Sequence, residues 1–234
     1  MVKKLTIFLL PYTFTSWNNN DKINKKDGGI VTLQGLNKEQ EKAVNHIKGP
    51  MLVLAGAGSG KTKVLTSRIA NLIDNGISPY NILAIAFTNK AAKEMKERVY
   101  RLIGSSAGNI QISTFHSLGL KILKENYSLL GYDRNFTIID SDDVLTIIKK
   151  ILKDLNLSKE LYNPREIKNK ISSAKNEMMG VDSFSKVEFD HNIVEVYRLY
   201  QKKLKNGNSV DFDDLLVLPI KLFTLSENIL NTYQ

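Results

Sequence analysis

Cysteine is missing from all 234 residues, and histidine occurs only at His46, His116 and His191, far apart in the chain. The first absence excludes a disulfide framework and thiolate catalysis. The second leaves too few nitrogen ligands for a zinc site. Long apolar runs are also lacking: none reaches the roughly 18 residues of a transmembrane helix, so no membrane role is expected. The nearest imitation is "MVKKLTIFLLPYTF", where Lys3 and Lys4 precede an apolar stretch as they would in a signal peptide. Pro11 interrupts that stretch and no small-x-small cleavage site follows. Residues 1–30 therefore read as a flexible N-terminal extension, and a cytoplasmic location is the expectation.

What remains is 42% hydrophobic and 24% charged, the balance of a globular chain able to bury a core as one large domain or two small ones. The net charge of +9 favours a polyanionic partner such as nucleic acid, although a solvated lysine-rich surface gives the same excess. Three stretches repeat a strand-then-helix order. Residues 50–55 lead into a helix near Lys61, "ILAIAF" (82–87) leads into "TNKAAKEMKERVYRLIG", and "IQIST" (110–114) leads into "FHSLGLKILKEN". Strands separated by helices imply an α/β fold with a parallel sheet, right-handed crossovers and ligands at the carboxyl ends of the strands. That places the loops at 55–62, 87–90 and 114–116 along one sheet edge.

After about residue 125 the pattern becomes helical. "DDVLTIIKKILKDL" is apolar at 144, 148, 151 and 155, and "NIVEVYRLYQKKLK" at 193, 196, 197, 200 and 204. "NPREIKNKISSAKNEM" reads as a third helix entered through Pro164 in its first turn. Residues 120–206 thus form an expected all-helical insertion whose polar faces are basic, and a solvated surface is the plain reading of those lysines.

The loop Ala55-Gly56-Ala57-Gly58-Ser59-Gly60-Lys61-Thr62 follows the phosphate-loop pattern, with Ala in place of the usual first Gly. Glycines let the backbone curl until several N–H groups face one anion, and the following helix adds its positive end. Lys61 then reaches the β and γ phosphates of a nucleotide such as ATP, and Thr62 holds Mg²⁺. Upstream, Asn37 and Gln40 make a helix-capping pair; Gln40 can equally offer a donor and an acceptor to the edge of adenine. "FTNKAAKEM" sets Phe87, Thr88, Asn89 and Lys90 at a helix N-terminus suited to a phosphate, and "STFHSLG" adds Thr114, Phe115 and His116. Taken singly, the phenylalanines suit a core, Thr88 a cap and His116 a structural hydrogen bond. Together, beside an ATP site, they suit a single-stranded nucleic acid.

"LNKEQEKAV", "AGAGSGKT", "AFTNKAAKEMKERV", "STFHSLGLKIL", "FTIID" and "VDFDDLL" follow one another as in the opening motifs of superfamily 1 DNA helicases, and from about Gln34 to Leu216 the chain resembles the UvrD/PcrA/Rep group. The resemblance implies a RecA-like P-loop sheet with helices on both faces, incomplete here, and ATP- and Mg²⁺-dependent 3′ to 5′ translocation on single-stranded and 3′-tailed duplex DNA. It makes Gln40 the adenine-reading residue. It makes Phe87, Thr88, Asn89, Lys90, Thr114, Phe115 and His116 DNA-strand contacts, with Phe212 of "VDFDDLL" a stacking residue. It divides the chain into a first motor part (31–119), an insertion of the 1B type (120–206) and a return to the motor (207–234).

One expected element is not found. "FTIIDSDD" offers Asp140 after an apolar run but no Glu beside it, and the family's Asp-Glu-x-Gln motif would fall beyond "NILNTYQ". Without that pair and the arginines of a second motor domain, these residues are expected to bind nucleotide without turning it over. A stand-alone or degenerate binding module, and a small-molecule kinase using Asp140, are the other readings open at this stage.

Overall fold

A computed structural model describes residues 35–56 and 58–233; the extension expected at 1–30, the loop residue Ala57 and the terminal Gln234 lie outside the described residues. The described chain is mixed α/β, mostly helical, with two small parallel sheets. It divides into two compact units, one ending at Phe115 and the other His116–Tyr233.

In the first unit, helix α1 (Lys38–Asn45) begins at a capping box: Gln40 N–H donates to the Asn37 side chain while the Gln40 side chain accepts from Asn37 N–H. Such a pair satisfies two helix-end donors reciprocally. Helix α2 (Lys61–Asp74) follows the glycine loop, and its Val64, Leu65, Ile69 and Leu72 are buried at helical spacing. Strands β1 (Leu83–Ile85) and β2 (Gln111–Ser113) pair in parallel with Ala84 opposite Ile112. Helix α3 (Asn89–Ile103) connects them, and Ala92, Met95 and Val99 join Leu65, Ile69, Ala84 and Ile112 in one core. Parallel strands with buried small and branched residues are what helical crossovers produce.

The strand expected at residues 50–55 is not formed. Leu52 and Leu54 are 70% and 76% exposed, while Met51 and Val53 pack against Ala43, Val44 and Val64. The period-two alternation of a strand is kept, but its hydrogen-bond ladder is not. A ladder needs a neighbour, and among the described residues none pairs with this segment.

The second unit continues from the start of α4 (Phe115–Asn126). Helix α5 (Ser141–Asp154) is capped by Asp140, and α6 (Pro164–Asn176) by Asn163 with Pro164 in the first turn. A short α7 (Val181–Phe184) precedes α8 (His191–Asn206). Val144, Ile148, Ile151, Ile193, Val196, Tyr197, Tyr200 and Leu204 share one core, so the apolar stripes read from sequence do face inward. Residues 120–206 are not wholly helical, however. Thr137–Ile138 (β3) pairs in parallel with Ser209–Val210 (β4), with Ile139 N–H also donating to Val210 C=O. Helices α9 (Asp214–Leu225) and α10 (Glu227–Tyr233) close the unit, their Leu215, Leu222 and Ile229 packing with Ile122 and Leu123 of α4.

Candidate phosphate-loop and strand-binding residues

The glycine loop enters α2 through Gly58 (φ 77°) and Gly60 (φ 81°), left-handed conformations that a side chain rarely adopts. At Gly60 a Cβ would also stand 2.9 Å from Gln40 Nε2. That amide donates to Ser59 C=O at 2.9 Å while the Gln40 carbonyl accepts from Asn37 N–H at 3.0 Å. Gln40 therefore makes the capping pair, one of the two readings left open by sequence, and also touches the loop. One amide hydrogen and one lone pair stay free of these two bonds. The Ser59 hydroxyl donates to Gly56 C=O at 2.7 Å. The Lys61 ammonium donates to Ala55 C=O at 3.0 Å and to Gly56 C=O, which folds it back over the loop. Thr62 follows, half-buried in the first turn of α2.

Two polar side chains, buried Arg68 and half-buried Asn71, join α1 to α2. Arg68, 5% exposed, donates from Nη1 to Ala43 C=O at 2.9 Å, and Asn71 donates to Val44 C=O at 3.1 Å. Burial lowers the Arg68 pKa. Because Gln40 rides on α1, this clamp sets where its amide meets the loop.

The second group of residues lies at the turn between β1 and α3. Phe87 is 71% exposed and Phe115 50% exposed, so neither belongs to a core. The Thr88 hydroxyl accepts from Ala91 N–H at 3.1 Å and is the α3 cap. Thr114, itself buried, donates to Asn89 Oδ1 over a long 3.4 Å, which links the two loops. Lys90 is exposed in the first turn of α3. In the second unit, His116 and Phe212 are brought together from positions nearly a hundred residues apart: their rings stack with centroids 3.9 Å apart and planes 19° apart. Burial lowers the His116 pKa, against the opposing pull of Asp213.

Sequence reasoning missed the most buried charges among the described residues. Lys175 of α6 is 2% exposed; its Nζ donates to Asp211 Oδ2 at 2.6 Å and to Asp214 Oδ1 at 2.8 Å. The Tyr200 hydroxyl donates to the same Asp211 oxygen at 2.7 Å. Asp214 N–H donates to Asp211 Oδ1 at 2.9 Å and Asp211 N–H to Asp214 Oδ2 at 3.1 Å. Burial pushes Asp211 up, but Lys175, Tyr200 and the Asp214 N–H together hold it below the usual carboxylate range. Asp214 is pushed up to about 6 by its burial and the Asp211 charge, against Lys175. Burial opposes the Lys175 charge, and the two carboxylates more than restore it. A signal was present: Lys175 continues the apolar stripe of Ile167 and Ile171 at intervals of four, where a solvated lysine has no place.

Asp140 is an exposed cap whose Oδ1 accepts from Asp142 and Asp143 N–H at 2.9 Å each, which accounts for it structurally and removes the support for a kinase. Among the described residues no three His, Cys, Asp or Glu side chains form a metal cluster. The Thr62 hydroxyl fits a Mg²⁺ ion that arrives with phosphates, not one bound by the protein alone. No helix among the described residues is long and apolar enough to cross a membrane.

The chain is 50% identical over 206 residues to the ATP-dependent DNA helicase PcrA of Bacillus subtilis (strain 168), a match covering 86% of this chain and 28% of that relative. It is 46% identical over 211 residues to PcrA of Leuconostoc citreum (88% and 28%). With PcrA of Staphylococcus aureus (strain Mu50 / ATCC 700699) the identity is 46% over 206 residues (86% and 28%). The chain thus spans little more than a quarter of the length of these relatives. The pattern that defines the UvrD/REP helicase N-terminal domain matches residues 36–234, and the chain belongs to that family.

Proposed function

We propose that these residues are the nucleotide- and strand-binding front part of an ATP-dependent DNA helicase that moves 3′ to 5′ on single-stranded DNA and unwinds 3′-tailed duplexes. The observation that carries the reading is the convergence of Gln40, Ser59 and Lys61 on one glycine loop at the N-terminus of α2. In the proposed cycle, backbone N–H groups of the loop receive the β and γ phosphates of ATP, and Lys61 exchanges the Ala55 and Gly56 carbonyls for phosphate oxygens. Thr62 would hold Mg²⁺ through its hydroxyl, supplying charge neutralisation at the phosphates. The free donor and acceptor of Gln40 suit the adenine edge. Residues 31–119 and 207–234 are assigned to a RecA-like motor domain and 120–206 to an insertion of the 1B type.

Phe87, Thr88, Asn89, Lys90, Thr114, Phe115, His116 and Phe212 are assigned to the DNA strand. Exposed aromatic rings suit stacking against bases, and Lys90 at a helix N-terminus suits a phosphate. No Asp is followed directly by Glu in this sequence, so the 234 residues alone are expected to bind nucleotide without turnover. The test is Lys61→Ala, with ATP binding followed by calorimetry and a labelled single strand by fluorescence anisotropy. Loss of ATP binding with strand affinity kept is expected. Unchanged ATP affinity, or equal loss of both, would count against the assignment.

A further inference from the structure

The buried ion cluster of the second unit has no evident stabilising purpose. Replacing a buried ion pair by packed apolar side chains is commonly neutral or stabilising, so such a cluster is better understood by what it holds in place. Here it holds a turn. Asp211 and Asp214 bond reciprocally through their own backbone N–H groups, and all four carboxylate oxygens accept a hydrogen bond from the turn itself, Lys175 or Tyr200. Lys175 also lies 5.3 Å from the centroid of the Tyr200 ring. With both carboxylates drawn inward, Phe212, the first of the two residues between them, is turned out: it is 57% exposed, with His116 stacked on one of its faces.

Three elements distant in sequence, α6, α8 and the turn before α9, are thus committed to the direction of one exposed ring. We propose that Lys175 is a positioning residue: through Asp211 and Asp214 it sets the Phe212 ring, backed by His116, as a platform for one base of a single strand. The inference rests on the strand-binding reading above and adds the residue on which the platform depends. Lys175 itself meets no DNA, since its ammonium is enclosed by the protein. Its removal therefore acts on base stacking and not on phosphate attraction.

Two probes separate those effects: a labelled sixteen-residue oligothymidylate, and an abasic strand of equal length that offers phosphates without bases. On the full chain, Phe212→Ala and Lys175→Met should each weaken oligothymidylate binding about tenfold, the range for a lost base stack. Neither should change abasic-strand binding, and the double variant should be no weaker than Phe212→Ala alone. Equal weakening on both strands by Lys175→Met, or additive effects in the double variant, overturns the positioning role while leaving stacking intact. If Phe212→Ala leaves oligothymidylate binding unchanged, the stacking assignment fails and the proposal fails with it. Should circular dichroism show Lys175→Met unfolded, Tyr200→Phe decides, because it removes one bond to Asp211 and keeps the ring. It should then give a smaller, base-dependent loss, and wild-type binding by that variant overturns the proposal.

Discussion

Gln40→Glu separates two roles that the structure joins in one side chain. Glutamate keeps the oxygen that accepts from Asn37 N–H, so the capping box survives and α1 should be as stable as before. It replaces the amide that donates to Ser59 C=O at 2.9 Å by a second acceptor. Losing that bond should cost about 1 kcal/mol, roughly fivefold in the affinity of any nucleotide that needs the ordered loop. If the remaining amide hydrogen also reads adenine, a second loss of about 1 kcal/mol falls on ATP alone, for roughly 30-fold in total. 7-Deaza-ATP, which carries a carbon in place of the ring nitrogen N7 that would accept from that hydrogen, should lose only the first part. Titration of both nucleotides by calorimetry, with urea unfolding to confirm the fold, measures each contribution. Equal losses for the two nucleotides would refute adenine reading, and no loss for either would refute the loop contact as well.

Two further perturbations address other residues. Lys90→Ala should weaken single-strand binding and lower the slope of log affinity against log salt by about one, and an unchanged slope would show that Lys90 meets no phosphate. Asp214 carries a carboxyl pushed up to about 6, so the folded chain holds this proton more tightly than the unfolded one. Its contribution to stability is complete below about pH 4 and is lost as pH rises through the folded value. Asp211, displaced the other way, is ionised in both states above about pH 5 and adds no slope there. Urea midpoints between pH 5 and 7.5 should therefore show the wild type losing stability relative to Asp214→Asn as pH rises, and parallel curves would refute the assignment.

Helix ends and apolar stripes were legible because they depend on neighbours a few residues away. Asn37 with Gln40 and Pro164 after Asn163 set their helices by local chemistry, and the positions from Val144 to Leu204 read as apolar stripes are buried, apart from half-buried Leu155. Residues 50–55 show the opposite case. Their alternation is in the sequence, but pairing belongs to two segments, and this one has no partner among the described residues. The β3–β4 pair escaped notice for a related reason: two residues at 137–138 meet two at 209–210, too few on either side to mark a strand. Phe87 and Phe115, apolar by composition, are exposed. At the candidate site, Lys175 was counted with the solvated lysines because charge was weighed ahead of position on the stripe, which hid the whole cluster around Asp211 and Asp214.

The enclosed cluster of Lys175, Tyr200, Asp211 and Asp214 also constrains how this domain can change. Removing one charged member strands an opposite charge in the interior, a loss of about 3–5 kcal/mol, whereas exchanging the members together for apolar groups is nearly neutral to folding. The path between the two states runs through single replacements that take a large share of a marginally stable domain's reserve. On that arithmetic these four positions, spread over forty residues, are expected to change together, and the geometry of Phe212 to change with them.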